Sequence, residues 1–295
     1  MSRRKTAAKP ECPLVIAVCA DPWKDRTLLR AAARVAVDLN LPFLAKPRVR
    51  GLEMLLVVAP NRLELRVVGG PTALRGGRAI CVDLSRLDTK SPAGRRLKQP
   101  IARAVGLRRL KDLEQRRPIV IDATAGWGAD AALLASLGCK VLAVERHPVV
   151  STLLRDGILR AAAQRPDTFA RLSLVNTDAQ AMFRRMTRSS RARPDLPAVM
   201  AEFLQPDVVY IDPMFPPRKT TEVKPLRVLR RLVGSDEDAG RLFRLALGVA
   251  RQRVVVKRPL RAERISDRVP TASHEGKSVR YDVYTGEATK GRRER

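Results

Sequence analysis

The sequence predicts an α/β protein: a Rossmann-like domain on a mainly parallel sheet with helices on both faces, preceded by a small α/β domain. Three observations lead there. From Pro118 onward, short apolar stretches alternate with segments of helical periodicity, and that β-turn-α order calls for parallel strands joined by crossovers. The first of these strands runs into a turn carrying Gly126 and Gly128, as a ligand-binding sheet edge requires. The 295 residues are 45% apolar, enough for one large core and a smaller one. No apolar run approaches the ~20 residues that span a bilayer.

Taken in order, residues 1–10 form a basic arm without the apolar stretch of an export signal, so a cytoplasmic location is expected. Residues 11–85 read as the small domain. Leu14–Cys19 is a strand, Lys24–Leu39 a helix, and Met54–Ala59 with Leu63–Val68 a hairpin across Pro60-Asn61; Ala79–Leu84 is a further strand. This unit shows no recognisable chemistry and reads as a packing or substrate-orienting domain. Residues 86–100, with Lys90, Arg95, Arg96 and Lys98, form a basic connector, either a solvated linker or an RNA-contacting loop.

The main domain spans 101–286, and 287–295 is a basic tail. Ile101–Leu113 is its leading helix. Strands follow at Ile119–Asp122, Lys140–Val144, Leu172–Val175, Val208–Ile211 and Val254–Val256. Helices fall at Ala129–Leu137, stopped by Gly138, and at Val149–Gln164. Val279–Thr285 is a last strand placed antiparallel beside the one at Val254. Right-handed crossovers bring the carboxyl ends of the parallel strands to one edge, where such sheets bind ligands.

Charge narrows the partners. Fifty-eight basic against 30 acidic residues leave a net +28, which fits a polyanion such as RNA. Since 45 of the 58 are arginine, a general arginine bias is the competing explanation. Aromatics, at 4%, are too few for an extended base-stacking platform. Cys12, Cys19, Cys81 and Cys139 form no CxxC pair and read as buried free thiols in a reducing compartment. With His147 and His274 as the two imidazoles, no metal site is expected.

Chemistry gathers at the strand ends. Asp122-Ala-Thr-Ala-Gly126-Trp-Gly128-Ala129-Asp130 gives a tight turn and close backbone approach at a helix start. Glu145, 23 positions beyond Asp122, ends the next strand where a carboxylate can accept both hydroxyls of a ribose. Asp178, in Asn176-Thr177-Asp178-Ala179, can address an adenine amine, cap a helix, or do both. Asp130 either faces a ligand ammonium or favours its helix N-terminus. Without a P-loop, this set favours S-adenosylmethionine over ATP. A nicotinamide-binding sheet is the rival, though Ala131 stands where its third glycine belongs.

The most specific stretch is Val208–Pro217, in which an apolar strand delivers Asp212-Pro213-Met214-Phe215 to the ligand edge. An exocyclic base amine is a poor nucleophile because its lone pair is delocalised into the ring. Acceptors on its N–H groups, here the Asp212 carboxylate and the Pro213 carbonyl, favour the state in which nitrogen gains positive charge. Phe215 can stack on the base and hold the amine in line. The quartet resembles the [DN]-P-P-[YFW] signature of amino-methyltransferases, with Met214 for the second proline. Arg218 and Lys219 just beyond, and Lys257 and Arg258 at the end of the Val254 strand, are candidate RNA phosphate contacts.

Asp122–Gly128, Leu137–Cys139, Glu145–Val150, Asp212–Pro216, Arg231–Gly234, Val254–Pro259 and Tyr281–Gly286 together resemble the bacterial ribosomal RNA small subunit methyltransferase J family, over roughly Val82 to Gly286. The resemblance implies a class I methyltransferase with a seven-stranded sheet. It also implies methylation of guanosine N2 in small-subunit ribosomal RNA, with that RNA or the assembled subunit as partner. Donor contacts carried over by position fall on Ala129, Asp130, Glu145, Arg146, Asp178, Ala179 and Asp212. Two departures stand out: Ala129 replaces the family's arginine, and Arg95–Pro100 replaces its glycine-rich connector. Methylation of adenine N6 or of another site, or a silent RNA-binding assembly factor, are the alternatives.

Overall fold

A computed structural model describes residues 15–46, 50–87, 99–107, 117–187, 198–214, 223–234, 236 and 238–285. The chain forms two compact units that divide between Cys81 and Val82.

The first unit holds β1 (Ile16–Ala20), α1 (Arg26–Asp38), β2 (Phe43–Leu44), β3 (Met54–Ala59) and β4 (Arg62–Val67). Its sheet runs β2-β1-β3-β4 and is parallel except for the β3-β4 hairpin, which pairs Ala59 with Arg62 around the expected Pro60-Asn61 turn. β1 is apolar and buried along its whole length. α1 starts where it does because Asp25 Oδ1 accepts the N–H groups of Thr27 and Leu28 at 2.8 and 3.0 Å, an N-cap. The two-residue β2 was too short to read from the sequence.

The expected strand at Ala79–Leu84 needs correction. Ile80 makes a lone antiparallel bridge to Leu65, and the chain then enters a 3-10 turn at Leu84–Arg86. Asp83 sets that turn by accepting the Ser85 N–H at 3.2 Å and its hydroxyl at 2.5 Å, so a local side-chain bond overrides the apolar strand pattern. Cys19 and Cys139 are buried thiols as expected, whereas Cys81 is only half-buried; Cys12 lies outside the described residues.

The second unit opens with α2 (Pro100–Ala104), a correction to the expected Ile101–Leu113 helix: the chain leaves the helix at Val105 and turns through Gly106 (φ +90°), a left-handed backbone that ends it; residues 108–113 lie outside the described set. There follow β5 (Ile119–Asp122), α3 (Ala129–Ser136), β6 (Lys140–Glu145), α4 (Pro148–Gln164), α5 (Pro166–Phe169), β7 (Leu172–Asn176), α6 (Ala179–Thr187), β8 (Val208–Ile211), α7 (Lys224–Val233), α8 (Ala239–Val249), β9 (Arg253–Pro259), β10 (Ala272–Glu275) and β11 (Val279–Thr285). The sheet has seven strands in the order β10-β11-β9-β8-β5-β6-β7. β5 to β9 are mutually parallel, and β11 runs antiparallel to β9, as expected, with Tyr284 opposite Val254 and Val279 opposite Pro259. Expected strand positions fall within a residue or two of those observed, except that β9 is longer and β10 was not foreseen.

Burial on both faces explains the near-continuous aliphatic strands. Ile121, Leu142, Val209 and Val254 point to one face and form a core with Met182 and Phe183 of α6 and Phe243 of α8. Their neighbours point the opposite way, where right-handed crossovers lay α3 and α4 against β6. Winding runs outward from β5 through β6 to β7, then restarts at β8 on the other side of β5. The carboxyl ends of β5 and β8 therefore flank the switch point, where a ligand crevice opens.

α4 also meets the segment that begins this unit. A Cβ placed on Gly157 would lie 2.6 Å from Val82 Cγ1 and 2.8 Å from its carbonyl oxygen. Arg160 and Arg165 donate to the carbonyls of Val82 and Leu84, both at 2.5 Å. Glycine inside a helix ordinarily costs about 1 kcal/mol relative to alanine, so G157A would stabilise an open helix. Here it is expected to destabilise by about 1–3 kcal/mol through overpacking, seen as a lower urea midpoint; a raised midpoint would show that the contact yields.

Candidate active site

β5 ends at Asp122, and the chain turns through Gly126 (φ +52°) and Gly128 (φ +76°) before α3 begins at Ala129. Both glycines hold left-handed backbone that other residues resist. At Gly128 a Cβ would also stand 2.3 Å from Leu154 Cδ1. Asp122 lies beneath the turn, 2% exposed, and accepts the Thr124 N–H at 3.2 Å. Burial, with Asp130 nearby, lifts its carboxyl well above the usual range.

Glu145 binds the end of β6 to this turn. Its Oε2 accepts the Gly126 N–H at 2.9 Å and its Oε1 the His147 N–H at 2.7 Å. Burial raises its proton affinity, while the two amides and Arg146 oppose that rise. An ionised carboxylate has about four lone-pair sites, so acceptor capacity is left for ligand hydroxyls. Asn176, at the end of β7, donates to the carbonyls of Glu145 and Arg146 at 2.7 and 3.2 Å. Asp178 Oδ1 accepts the Ala181 N–H at 2.7 Å and so caps the first turn of α6 while lining the cleft beside it.

The cleft takes in about 570 Å³ of space, part of it open to solvent. Gly126, Glu145, Arg146, Asp178, Ala179 and Asp212, all expected as donor contacts, line it together. Asp122, Gly128, Ala129 and Asp130 are not among its lining residues: the first two support the turn, and the others open α3. Sequence reasoning missed Asp236. Its Oδ1 accepts from Arg146 at 2.6 Å and its Oδ2 accepts the Met214 N–H at 2.7 Å, joining the donor side of the cleft to the strand-end loop. The acidic run from Asp236 to Asp238 behind an arginine-rich helix was its visible signal.

At the end of β8 the Asp212 N–H donates to Thr124 Oγ1 at 2.7 Å, fixing the start of the Asp-Pro-Met-Phe stretch against the glycine turn. Pro213, also expected at the site, is buried and is not among the cleft's lining residues. Phe215, Arg218 and Lys219 lie outside the described residues. Lys257 and Arg258 do not reach out as phosphate ligands, a correction to the expectation. The Lys257 ammonium sits 2.7 Å from Asp130 and 2.9 Å from Asp212, and Arg258 is 7% exposed with its guanidinium on the Glu263 carbonyl. Both belong to an interior strand whose end is packed, so their charges are met by protein. Asp130 thus faces an ammonium, that of Lys257.

Among the described residues, five carboxylates line the cleft, those of Glu145, Asp178, Asp212, Asp236 and Asp238, against one guanidinium, that of Arg146, which Asp236 already engages. Such a wall repels the pyrophosphate of a nicotinamide dinucleotide and attracts a ligand bearing ammonium and sulfonium charges. Glu145 and Asp178 add acceptors suited to a ribose and an adenine amine. The residues present fit S-adenosylmethionine, and with the strand order they define a class I S-adenosylmethionine-dependent methyltransferase.

Comparison with known proteins agrees. Residues 47–286 match the family described as "Putative SAM-dependent methyltransferase". The chain belongs to the ribosomal RNA small subunit methyltransferase J family. It is 40% identical to the protein of that name from Thioalkalivibrio sulfidiphilus over 89% of this chain and 95% of that one. The corresponding figures for the Vibrio parahaemolyticus protein are 39%, 90% and 96%. A crystal structure of a SAM-dependent methyltransferase from Neisseria gonorrhoeae superposes with a TM-score of 0.63 at 31% identity, covering 92% of this chain and 96% of that one. The family match reaches upstream of Val82, where the sequence resemblance had begun.

Proposed function

We propose that this methyltransferase modifies the exocyclic N2 amine of a guanosine in small-subunit ribosomal RNA. The observation that carries the reading is the place of Asp212: at the end of β8, across the switch point from the glycine turn, lining the acid-rich cleft. The names of the relatives support ribosomal RNA as substrate, and the net charge of +28 suits a polyanion.

S-adenosylmethionine supplies a methyl group activated by its sulfonium. Glu145 accepts the ribose hydroxyls and Asp178 addresses the adenine edge. The Asp212 carboxylate and the Pro213 carbonyl accept from the guanine amine, raising electron density on nitrogen as its bond to the methyl carbon forms and the carbon–sulfur bond breaks. Phe215 stacks on the base, and Arg218 and Lys219 follow the adjoining phosphates. The amine's surplus proton passes to solvent. The guanine must be unpaired or extruded to enter.

Nucleoside mass spectrometry of small-subunit RNA incubated with the purified chain and S-adenosylmethionine tests this. N2-methylguanosine is expected. N6-methyladenosine would reassign the target, and an unmethylated product from both naked RNA and assembled subunits would favour a silent assembly factor.

A further inference from the structure

Lys257 ends up among carboxylates at the strand ends and not at the surface. It projects from β9 into the space between α3 and β8, where its ammonium bridges Asp130 Oδ2 and Asp212 Oδ2. Asp130 Oδ2 also accepts the hydroxyl of buried Tyr210 at 2.6 Å. We propose that Lys257 is a positioning residue for methyl transfer: it clamps one oxygen of Asp212, leaves the other for the substrate amine, and holds that carboxylate in its charged form against the acids around it. This rests on the role given to Asp212 above and adds the group that makes the role workable.

The electrostatics require such a partner. The Asp212 carboxyl is raised to about 6, burial being the largest cause; Lys257 pulls it down, while Asp130 and Asp236 push it up. Asp122, from β5, is itself lifted well above the usual range with Asp212 and Asp130 among the causes. Tyr210 of β8 and Tyr281 of β11, the latter pushed up to about 12, face the same cluster as neutral hydroxyls. Burial works against the Lys257 ammonium, but Asp212 and Asp130 outweigh it, so Lys257 holds its proton more firmly than an ordinary lysine. Lysine is therefore the fixed charge of the group, and the carboxyls around it titrate together. The proposed acceptor works as its anion, so transfer is expected to fall as pH drops through about 6.

The test is the pH profile of single-turnover methyl transfer to small-subunit RNA, with the modified base identified in the same reaction. Wild type should show an acidic limb near pH 6. K257M removes the opposing cation, so the limb should move upward by about one unit or more. D130N removes a like charge and frees Lys257 for Asp212, so the limb should move downward. K257R keeps the charge and should keep the limb near wild type, which also answers the case in which K257M fails to fold. Opposite displacements by K257M and D130N support the proposal, because a merely structural role would lower rates without moving the limb in opposed directions. A stationary limb in both folded variants overturns it. Methylation of another base with the displacements intact would overturn the choice of guanine N2 and leave Lys257 in place; full activity of D212N would overturn the role of Asp212 and this inference with it.

Discussion

Asp212→Asn is expected to slow methyl transfer by roughly 10²–10³-fold, the loss that follows removal of one group facing developing charge in a transition state. The substitution keeps shape and replaces an anionic oxygen by an amide, whose N–H groups oppose those of a substrate amine. The local backbone should survive, because Thr124 Oγ1 accepts from the main-chain N–H of residue 212 and not from its side chain. A thermal melt close to wild type, read beside single-turnover rates with saturating donor, separates chemistry from folding. A folded variant with the wild-type rate would exclude this carboxylate from the reaction.

Glu145→Ala should weaken binding of S-adenosylhomocysteine by about 10–100-fold, the equivalent of roughly 1.5–3 kcal/mol for hydrogen bonds to a charged group. Two losses combine. The ribose hydroxyls lose their acceptor, and the N–H groups of Gly126 and His147 lose the oxygens that hold the glycine turn to β6. Glu145→Gln retains carbonyl acceptance at one position and should fall between the two. Isothermal calorimetry decides it; an affinity unchanged in the alanine variant would mean that the ribose is held by other groups.

These two residues were legible in the sequence because each sits at the end of a short aliphatic run bounded by turn residues, and side chains at the ends of parallel strands must share an edge. The glycine turn was legible for the same reason. The fate of Lys257 was not. Its partners Asp130 and Asp212 lie on other elements, and Asp130 precedes it by 127 positions. Only the order of strands, which places β8 between β5 and β9, brings the three together. Asp236 escaped notice likewise, since its bonds run to Arg146 and Met214 from a segment between two helices. The Ala79–Leu84 stretch failed in the other direction: its pattern is that of a strand, but a single aspartate capping a tight turn decides the backbone there.

Asp236 has a mechanical consequence. One carboxylate, clasping Arg146 with one oxygen and the main chain of Met214 with the other, acts as a tie-rod between the ends of β6 and β8. Stiffening either end braces the other, so loss of that carboxylate is expected to loosen both walls together.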